Sequence, residues 1–387
     1  MREKKETQRR GKTLDRYYNP VQVICGSGAI KEIPALIENI ISEKRRVLLL
    51  TWSESTTYLE GFKELKDAFT VRTIRFNESN PTVEQLFELY SRTVDFQPEV
   101  VVAVGGGSVM DVGKSLCCFY GKEVDSPDEM RKIISEKAYG QPKTKWIGVP
   151  TTSGTGSEVT CWATIWDPSQ NMKRSVESRE NFAYAAVVDP DLTKSMPLKL
   201  AVSSALDAVA HAVESYWAKA TNTVSRGLAL EAIRTIMGSI DKLLADQGSL
   251  EAREQMAKGS MMAGMAFSNT RTTGCHSISY PLTMHHGIPH GAAVSLLLGP
   301  VLELNAPAVK DLDALLTALG VEQIGEVRPR INGILAVAGH PIRLQKWGVT
   351  EEDLPQLVAQ SITKGRADNN PVELTEAVVH NILKTIF

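Results

Sequence analysis

Residues 100–115 read V-V-V-A-V-G-G-G-S-V-M-D-V-G-K-S, an apolar run that ends in three glycines and continues with helical spacing. A short uninterrupted apolar run is typical of a strand buried on both faces of a parallel sheet. Gly105, Gly106 and Gly107 let the backbone turn tightly, and the free N–H groups of the following helix suit a pyrophosphate. The stretch has neither the G-x-G-x-x-G nor the G-x-x-x-x-G-K-[ST] spacing, so on its own it also fits a tight turn that binds nothing.

The segments around this stretch show the same pattern. Strands are predicted at residues 47–51, 71–76, 146–149 and 185–189, with a helix at residues 58–68 between the first two. Strands that alternate with helices form a parallel sheet with right-handed crossovers. A second loop rich in hydroxyls and glycines, P-T-T-S-G-T-G-S-E-V-T, follows at residues 150–160. Because α/β folds bind ligands at the carboxyl edge of the sheet, the two loops predict one crevice there.

The second half of the chain has a different pattern of glycines and apolar residues. After Pro197 the glycine-rich strand ends disappear, and segments with a 3.6-residue period begin at residues 201–218, 225–244 and 250–267. Helices with such a period pack as a bundle. We therefore predict an α/β domain over residues 1–190 and an all-helical domain over residues 191–387.

Length and composition limit the classes of protein that fit. A chain of 387 residues with 43% hydrophobic residues is expected to form about two globular domains. The formal net charge of −2 gives no electrostatic case for binding nucleic acid or a membrane surface. The five cysteines form no C-x-x-C pair, and the basic residues between Arg2 and Lys12 precede no apolar run. We therefore expect a cytoplasmic protein with reduced thiols, without a secretory signal or a membrane anchor.

Asp207 and His211 are the informative pair of the first predicted helix in the second half. They lie four residues apart among apolar neighbours, so both point from one buried face. A buried carboxylate and imidazole need either a hydrogen bond to each other or a shared metal ion.

Residues 271–291, R-T-T-G-C-H-S-I-S-Y-P-L-T-M-H-H-G-I-P-H-G, hold four of the seven histidines. They are His276, His285, His286 and His290. Surface histidines at a helix end are the simpler interpretation of this segment alone. With the upstream pair, however, His276 and His290 complete a set of one carboxylate and three imidazoles, which suits Fe²⁺ or Zn²⁺.

Four motifs together resemble the iron-containing (group III) alcohol dehydrogenases. They are G-G-G-S-x-x-D-x-x-K from Gly105, P-T-T-x-G-T-G-S-E from Pro150, D-x-x-x-H-x-x-E from Asp207 and G-I-P-H-G from Gly287, in the family's order. The resemblance covers the chain from about Gly26 to its end. It implies a Rossmann-like dinucleotide-binding domain followed by a helical domain, the dehydroquinate synthase-like arrangement, with the catalytic site in the cleft between them.

The family's site residues can be carried over position by position. The resemblance implies that a metal ion, Fe²⁺ or else Zn²⁺, is bound by Asp207, His211, His276 and His290. It implies that NAD(P) is held by Gly105, Gly106, Gly107, Ser108, Asp111, Thr151, Thr152, Ser157 and Lys173. Trp52 stands where many members have a carboxylate that accepts the ribose hydroxyls. Without that carboxylate a 2′-phosphate meets less repulsion, so we expect use of both cofactors or a preference for NADP.

Two further positions concern proton transfer and the substrate. Many members have a histidine four residues after the third metal ligand, where this chain has Tyr280, whose ordinary pKa of roughly 10 makes it a poor proton acceptor. The expected carriers of the proton are therefore Tyr280, His286, His285 or bound water. The tract at residues 270–281 is similar to a subgroup of phosphonoacetaldehyde reductases, which implies that Arg271 binds a phosphonate. The alternative is that Arg271 pairs with a carboxylate at a helix end.

The sequence thus predicts a metal-dependent alcohol dehydrogenase or aldehyde reductase that moves hydride between NAD(P) and a small aldehyde or primary alcohol, with phosphonoacetaldehyde as a candidate. A polyol dehydrogenase or a dehydroquinate synthase-type lyase on the same scaffold is the alternative, and a non-catalytic binding protein is a third. We expect a homo-oligomer, most simply a dimer, without nucleic acid or membrane partners. His340 and His380 are expected on helices or at the surface, and residues 366–371 are a further segment that could approach the site.

Overall fold

A six-stranded sheet forms the centre of the first half of the protein. The computed structural model describes residues 15–42, 44–170, 172–363 and 365–387, and within them every side chain except that of Thr57. The basic residues between Arg2 and Lys12 lie outside the described residues. In chain order the strands are β1 (Gln22–Cys25), β2 (Arg46–Thr51), β3 (Thr70–Arg75), β4 (Val100–Gly105), β5 (Lys145–Pro150), β6 (Trp162–Asp167), β7 (Met172–Glu177) and β8 (Ala185–Val188). The sheet has the order β1-β8-β5-β4-β2-β3 with every pair parallel, and β6 and β7 form a separate antiparallel hairpin.

Helices cover both faces of the parallel sheet. They are α1 (Ile33–Glu38), α2 (Phe62–Ala68), α3 (Val83–Ser91), α4 (Gly107–Phe119) and α5 (Pro127–Glu136). The alternation of side chains along β4 shows why: Val101 and Ala103 pack in one apolar core, whereas Val100 and Val102 pack in another on the opposite face. The prediction of a doubly covered parallel sheet is confirmed.

The second half is helical. Its helices are α6 (Leu198–Trp217), α7 (Thr223–Met237), α8 (Ile240–Ala245), α9 (Leu250–Thr270), α10 (Gly274–His286), α11 (His290–Asn305), α12 (Leu312–Leu319), α13 (Ile324–Val337), α14 (Leu354–Ser361) and α15 (Glu376–Ile386). Every residue of α6 from 205 to 217 is buried, because α7, α9 and α11 surround it. A helix that is enclosed on all sides places its polar side chains in the protein interior, where they need partners.

Some elements differ from those predicted. β1 and the β6–β7 hairpin were not anticipated, and the helix expected at residues 225–244 is broken between α7 and α8, around Gly238. His340 is not a surface residue: it is buried, and its Nε2 lies 2.9 Å from the Lys199 carbonyl oxygen. His380 is exposed on α15, as expected.

One segment, His290–Ala308, is long and apolar enough to cross a membrane by length and composition. However, 67% of its apolar window is buried inside the protein. Its helix, α11, packs against α6, α10 and α13 and belongs to the core of the helical half.

Candidate active site

The two glycine-rich loops meet at the carboxyl edge of the sheet. β4 and β5 are neighbours, and their register sets Gly105 opposite Pro150. The Thr151 amide donates to the Gly105 carbonyl at 2.9 Å. A Cβ atom on Gly107 would lie 2.8 Å from the Cγ2 of Thr155, which is too close for any residue but glycine. The loops therefore border one crevice, at the place where the sequence predicted it.

A buried lysine, Lys114, ties the first helix after the glycines to the second loop. Burial lowers the pKa of Lys114, whose side chain is fully enclosed. Asp111, one turn earlier on α4, accepts a hydrogen bond from Ser157 Oγ at 2.7 Å and one from the Thr164 amide at 2.9 Å. Four oxygens lie within hydrogen-bonding distance of the Lys114 Nζ and share its three protons: Ser157 O at 2.9 Å, Ser157 Oγ at 3.0 Å, Thr160 Oγ1 at 3.1 Å and Trp162 O at 2.7 Å.

One carboxylate and three imidazoles converge on the helical side of this crevice. Asp207 and His211 lie one turn apart on α6, with His211 Nδ1 3.9 Å from Asp207 Oδ2. His276 in the first turn of α10 brings its Nε2 to 3.4 Å from Asp207 Oδ1. His290, the first residue of α11, brings its Nε2 to 4.0 Å from the same oxygen. Ligand atoms of Asp207, His276 and His290 all lie within 4.8 Å of one another, a spacing at which one ion can bridge them.

The donor atoms of this cluster have no partner in the described part of the protein. Asp207 Oδ1, His211 Nδ1 and His276 Nε2 are buried without a hydrogen bond, and so is His290 Nδ1, although the nitrogen of that ring nearest to Asp207 is Nε2. Unpaired buried polar atoms are costly, and four in one place indicate a missing partner. Carboxylate oxygen and imidazole nitrogen are ligands of both Fe²⁺ and Zn²⁺, so the residues present fit a divalent ion.

Glu214 lies behind the cluster and sets the orientation of His276. It is fully buried, and its Oε1 accepts hydrogen bonds from the Cys275 amide at 2.6 Å and from Thr273 Oγ1 at 2.9 Å. Its Oε2 contacts His276 Nδ1, which leaves Nε2 to face Asp207. Burial lowers the pKa of His276, but Glu214 and Asp207 more than offset this and raise it to about 9. Burial dominates at the other two imidazoles and lowers the pKa of His211 to about 4 and that of His290 to about 3, so these rings are neutral at pH 7 and can each offer a lone pair to a cation.

A cavity of about 290 Å³ lies between the loops and the cluster. Its lining comes from both halves of the chain and includes Gly107, Ser108, Asp111, Ser157, Lys173, Asp207, His211, His276, Tyr280, His290 and Arg366. Gly105, Gly106, Thr151 and Thr152 belong to the same two loops without lining this cavity. Trp52 follows β2, is 41% exposed and also lies outside the lining. The assignment of these residues to the cofactor stays a prediction.

Tyr280 contacts both a histidine of the cluster and two basic side chains. Its ring is parallel to that of His290, with ring centroids 5.9 Å apart. The Lys173 Nζ lies 3.5 Å from the centroid of the Tyr280 ring, and the Arg366 Cζ lies 4.9 Å from it. Burial, and secondly the positive charge of Arg366, hold the pKa of Lys173 well below its ordinary value.

Arg271 and His286, two residues predicted to act on the substrate, do not line the cavity. Arg271 follows the last residue of α9 and forms an ion pair with Glu177. The structure therefore has Arg271 paired with a carboxylate at a helix end, which was the alternative to a phosphonate-binding role. His286 ends α10, where its Nε2 lies 3.9 Å from Asp353 Oδ2. The helical period explains this, because residues 276, 280 and 283 share the face of α10 that lines the cavity and residue 286 lies off it.

Three residues at the site had no role assigned from the sequence. Lys114 and Glu214 belong to the recognised motifs, and Arg366 lies in the segment expected to approach the site. The signal for Glu214 was its spacing of seven residues from Asp207, which places both on one face of α6. The signal for Lys114 was its place in an otherwise apolar helix whose one other charged residue is Asp111.

Comparisons with known proteins agree with this geometry. Residues 20–190 match the family model described as iron-containing alcohol dehydrogenase, and residues 201–387 match that of the Fe-containing alcohol dehydrogenase family, C-terminal. The chain is 31% identical over 297 residues to the NADPH-dependent butanol dehydrogenase of Clostridium saccharobutylicum, covering 75% of this chain and 74% of that protein. It is 26% identical over 382 residues to the NAD-dependent methanol dehydrogenase of Bacillus methanolicus, covering 96% and 99%. The crystal structure of sulfoacetaldehyde reductase from Bifidobacterium kashiwanohense in complex with NAD+ superposes with a TM-score of 0.85 at 29% identity, covering 97% and 99% of the two chains.

Proposed function

The chain belongs to the iron-containing alcohol dehydrogenase family, and from that premise we propose that it uses a divalent metal ion and NAD(P)H to interconvert a small aldehyde and its primary alcohol. The observation that carries the proposal is the convergence of buried, unpartnered donor atoms beside the glycine-rich loops. Four side chains from three helices, α6, α10 and α11, each bring a buried atom without a hydrogen-bonding partner to this place, which is difficult to explain for a protein that binds no ion.

Asp207, His211, His276 and His290 would hold the ion. Fe²⁺ is the metal in the family's description, and Zn²⁺ suits the same ligands. Glu214 would keep His276 in the tautomer with a proton on Nδ1, so that the Nε2 lone pair is free to bind. Phe267 stacks on His211 with ring centroids 4.3 Å apart and limits the rotation of that imidazole.

The glycine-rich loops would hold the cofactor. Gly107 and Ser108 begin α4 at the cavity, and the free N–H groups of a helix N-terminus suit a pyrophosphate. Lys173 at the cavity is a further candidate contact. Trp52 offers no carboxylate to repel a 2′-phosphate, so we propose that both NADH and NADPH are used. The relatives in the comparison include one described as NADPH-dependent and one described as NAD-dependent.

The chain's own residues would orient the reactants and hold the proton. When bound, the ion supplies a Lewis acid and the nicotinamide supplies the hydride. Burial raises the pKa of Tyr280, so its phenol keeps its proton at neutral pH and can donate a hydrogen bond into the cavity.

We propose phosphonoacetaldehyde as a candidate substrate. The support is the similarity of residues 270–281 to phosphonoacetaldehyde reductases, together with the fold similarity to a sulfoacetaldehyde reductase. Both compounds are two-carbon aldehydes that end in an anionic group.

The test is reduction of acetaldehyde, propanal and phosphonoacetaldehyde with NADH and NADPH, on protein stripped of metal and reloaded with Fe²⁺ or Zn²⁺. We expect aldehyde-dependent consumption of reduced cofactor only in the reloaded protein. Asp207→Asn and His276→Ala should lose both the bound metal and the activity but still bind NADPH, whereas His380→Ala, an exposed position on α15, should behave as wild type. Full turnover in the stripped protein would refute metal dependence, and an absence of any net cofactor oxidation would refute the dehydrogenase.

A further inference from the structure

Two cations enter the cavity without a carboxylate partner. Lys173 comes from β7, and Arg366 precedes a short 3-10 turn at Ala367–Asn369 in the helical half. Among the described residues, neither the Lys173 Nζ nor the Arg366 guanidinium lies within 4.0 Å of a carboxylate oxygen. Both instead lie within 5 Å of the centre of one aromatic ring, that of Tyr280.

The other cations near the cavity have oxygen partners. Lys114 is surrounded by four oxygens, Arg271 pairs with Glu177, and Arg174 pairs with Asp167. These three side chains are therefore held by oxygen atoms of the protein, two of them by a carboxylate. Arg366, whose side chain bonds the Tyr280 hydroxyl, and Lys173 line the cavity without a counter-charge, which indicates a binding function.

The position of the two cations also limits the ligand. Tyr280 stacks on His290, a member of the proposed metal cluster, so the cluster, Lys173 and Arg366 contact the same aromatic ring. A substrate that reaches both the cluster and Arg366 therefore needs only a short carbon chain between its carbonyl group and its anion. A guanidinium carries a permanent positive charge and binds a tetrahedral oxyanion through two parallel hydrogen bonds. An anion beside Lys173 would in turn favour the protonated form of that amine.

On the basis of the proposed function, we infer that Arg366, with Lys173 beside it across Tyr280, binds the anionic end of a short aldehyde substrate and so selects a phosphonate-bearing aldehyde over a neutral one. Arg366 takes the role that the sequence had given to Arg271. Lys173 is shared between this site and the proposed cofactor contact, so Arg366 is the residue whose replacement separates substrate selection from cofactor binding.

The experiment compares Arg366→Gln, Arg366→Lys and Arg271→Gln with wild type, and uses Arg234→Gln as a matched control because Arg234 is an exposed arginine paired with Glu231 on α7. Each variant is assayed as metal-loaded enzyme at saturating NADPH with phosphonoacetaldehyde, sulfoacetaldehyde and propanal. For Arg366→Gln we expect the ratio of kcat/KM for phosphonoacetaldehyde to that for propanal to fall roughly 10- to 100-fold, as for loss of a hydrogen-bonded charge pair. Sulfoacetaldehyde, with one negative charge, should show a smaller fall, and Arg366→Lys should lie between wild type and Arg366→Gln.

A binding measurement makes the test independent of turnover. Phosphonoacetate, which has no reducible aldehyde, is titrated into the metal-loaded protein by calorimetry, and its Kd should rise by a similar factor in Arg366→Gln but not in Arg234→Gln. Unchanged melting temperatures show that the variants fold. An equal loss for all three aldehydes with unchanged phosphonoacetate binding would overturn the inference, as would a selective loss in Arg271→Gln alone. If no aldehyde is reduced at all, the proposed function fails, and the phosphonoacetate titration still decides whether Arg366 binds an anion.

Discussion

Glu214 contacts the Nδ1 of His276 from the side opposite to Asp207, so one imidazole is held between two buried carboxylates. Glu214 also accepts hydrogen bonds from backbone amides in the first turn of α10. It therefore fixes both the position of that helix and the direction in which its histidine presents a lone pair.

Replacing Glu214 with glutamine tests this positioning role. The amide keeps the shape of the side chain but loses the charge that stabilises a donor at His276 Nδ1. We expect the affinity for Zn²⁺, measured by competition with a chromogenic chelator, to fall roughly 10- to 100-fold. Glu303→Gln, at an exposed position on α11, is the matched control and should keep the wild-type affinity. Equal affinities in the two variants would show that Glu214 only supports the fold.

Replacing Lys114 with methionine tests the connection between α4 and the second loop. Methionine fills a similar volume, but the four oxygens around the Lys114 Nζ lose the donor that they share. We expect the free energy of unfolding in urea to fall by about 2–4 kcal/mol, because buried polar groups are left unsatisfied. The KM for NADPH should rise in the same variant, since the loop loses its anchor. Lys132→Met, at an exposed position on α5, should change neither quantity.

A close backbone contact joins the two halves of the protein at Gly156 and Gly264. A Cβ atom on Gly264 would lie 2.7 Å from the Cα of Gly156 and 2.6 Å from the Cγ2 of Val159. Gly264→Ala should therefore push the second loop away from α9 at a cost of about 1–3 kcal/mol in the free energy of unfolding. Gly227→Ala, on α7 with no atom within 4 Å of the added methyl group, should instead stabilise the protein by about 0.5–1 kcal/mol. Urea denaturation of both variants checks these opposite signs.

A buried ionic group under the hairpin predicts a dependence of stability on pH. Asp167 is fully buried and pairs with Arg131 and Arg174. Burial raises the pKa of Asp167, but hydrogen bonds from Ser169 and from the two arginines more than offset this, so the pKa lies below its ordinary value. A carboxylate with a lowered folded-state pKa stabilises the fold above its unfolded pKa, and this contribution disappears as pH falls through the folded pKa.

Asp167→Asn should therefore be less stable than wild type by about 3–5 kcal/mol at pH 7. The difference should begin to shrink as pH falls below roughly 4, where the carboxylate is protonated in the unfolded chain, and should be lost once pH falls through the lower folded-state pKa. Urea midpoints at pH 7 and at successively lower pH measure it. A difference that stays constant across this range would show that the charge of Asp167 is not the source of the stability.

The sequence predicted the elements whose signals are local. The apolar run of β4 is buried on both faces, and the spacing of Asp207 and His211 alone places them on one face of α6. The hairpin of β6 and β7 was missed because its buried charges, including Arg174, look like surface residues until Asp167 is seen to pair with them.

The choice between two arginines could not be predicted either. Arg271 stands next to the histidine segment in sequence, whereas Arg366 is far along the chain. The packing of the segment after α14 against α10 decides which of them reaches Tyr280, and that packing depends on contacts between residues distant in sequence. Spacing along the chain therefore identified the ligand set but not the cation beside it.

The most direct test of the central claim is anomalous diffraction at the iron absorption edge from crystals of the protein loaded with Fe²⁺. We expect one anomalous peak per chain, enclosed by Asp207, His211, His276 and His290, and no peak there in crystals of Asp207→Asn. Crystals of active enzyme with no peak among these four side chains, or with the only peak elsewhere, would contradict it.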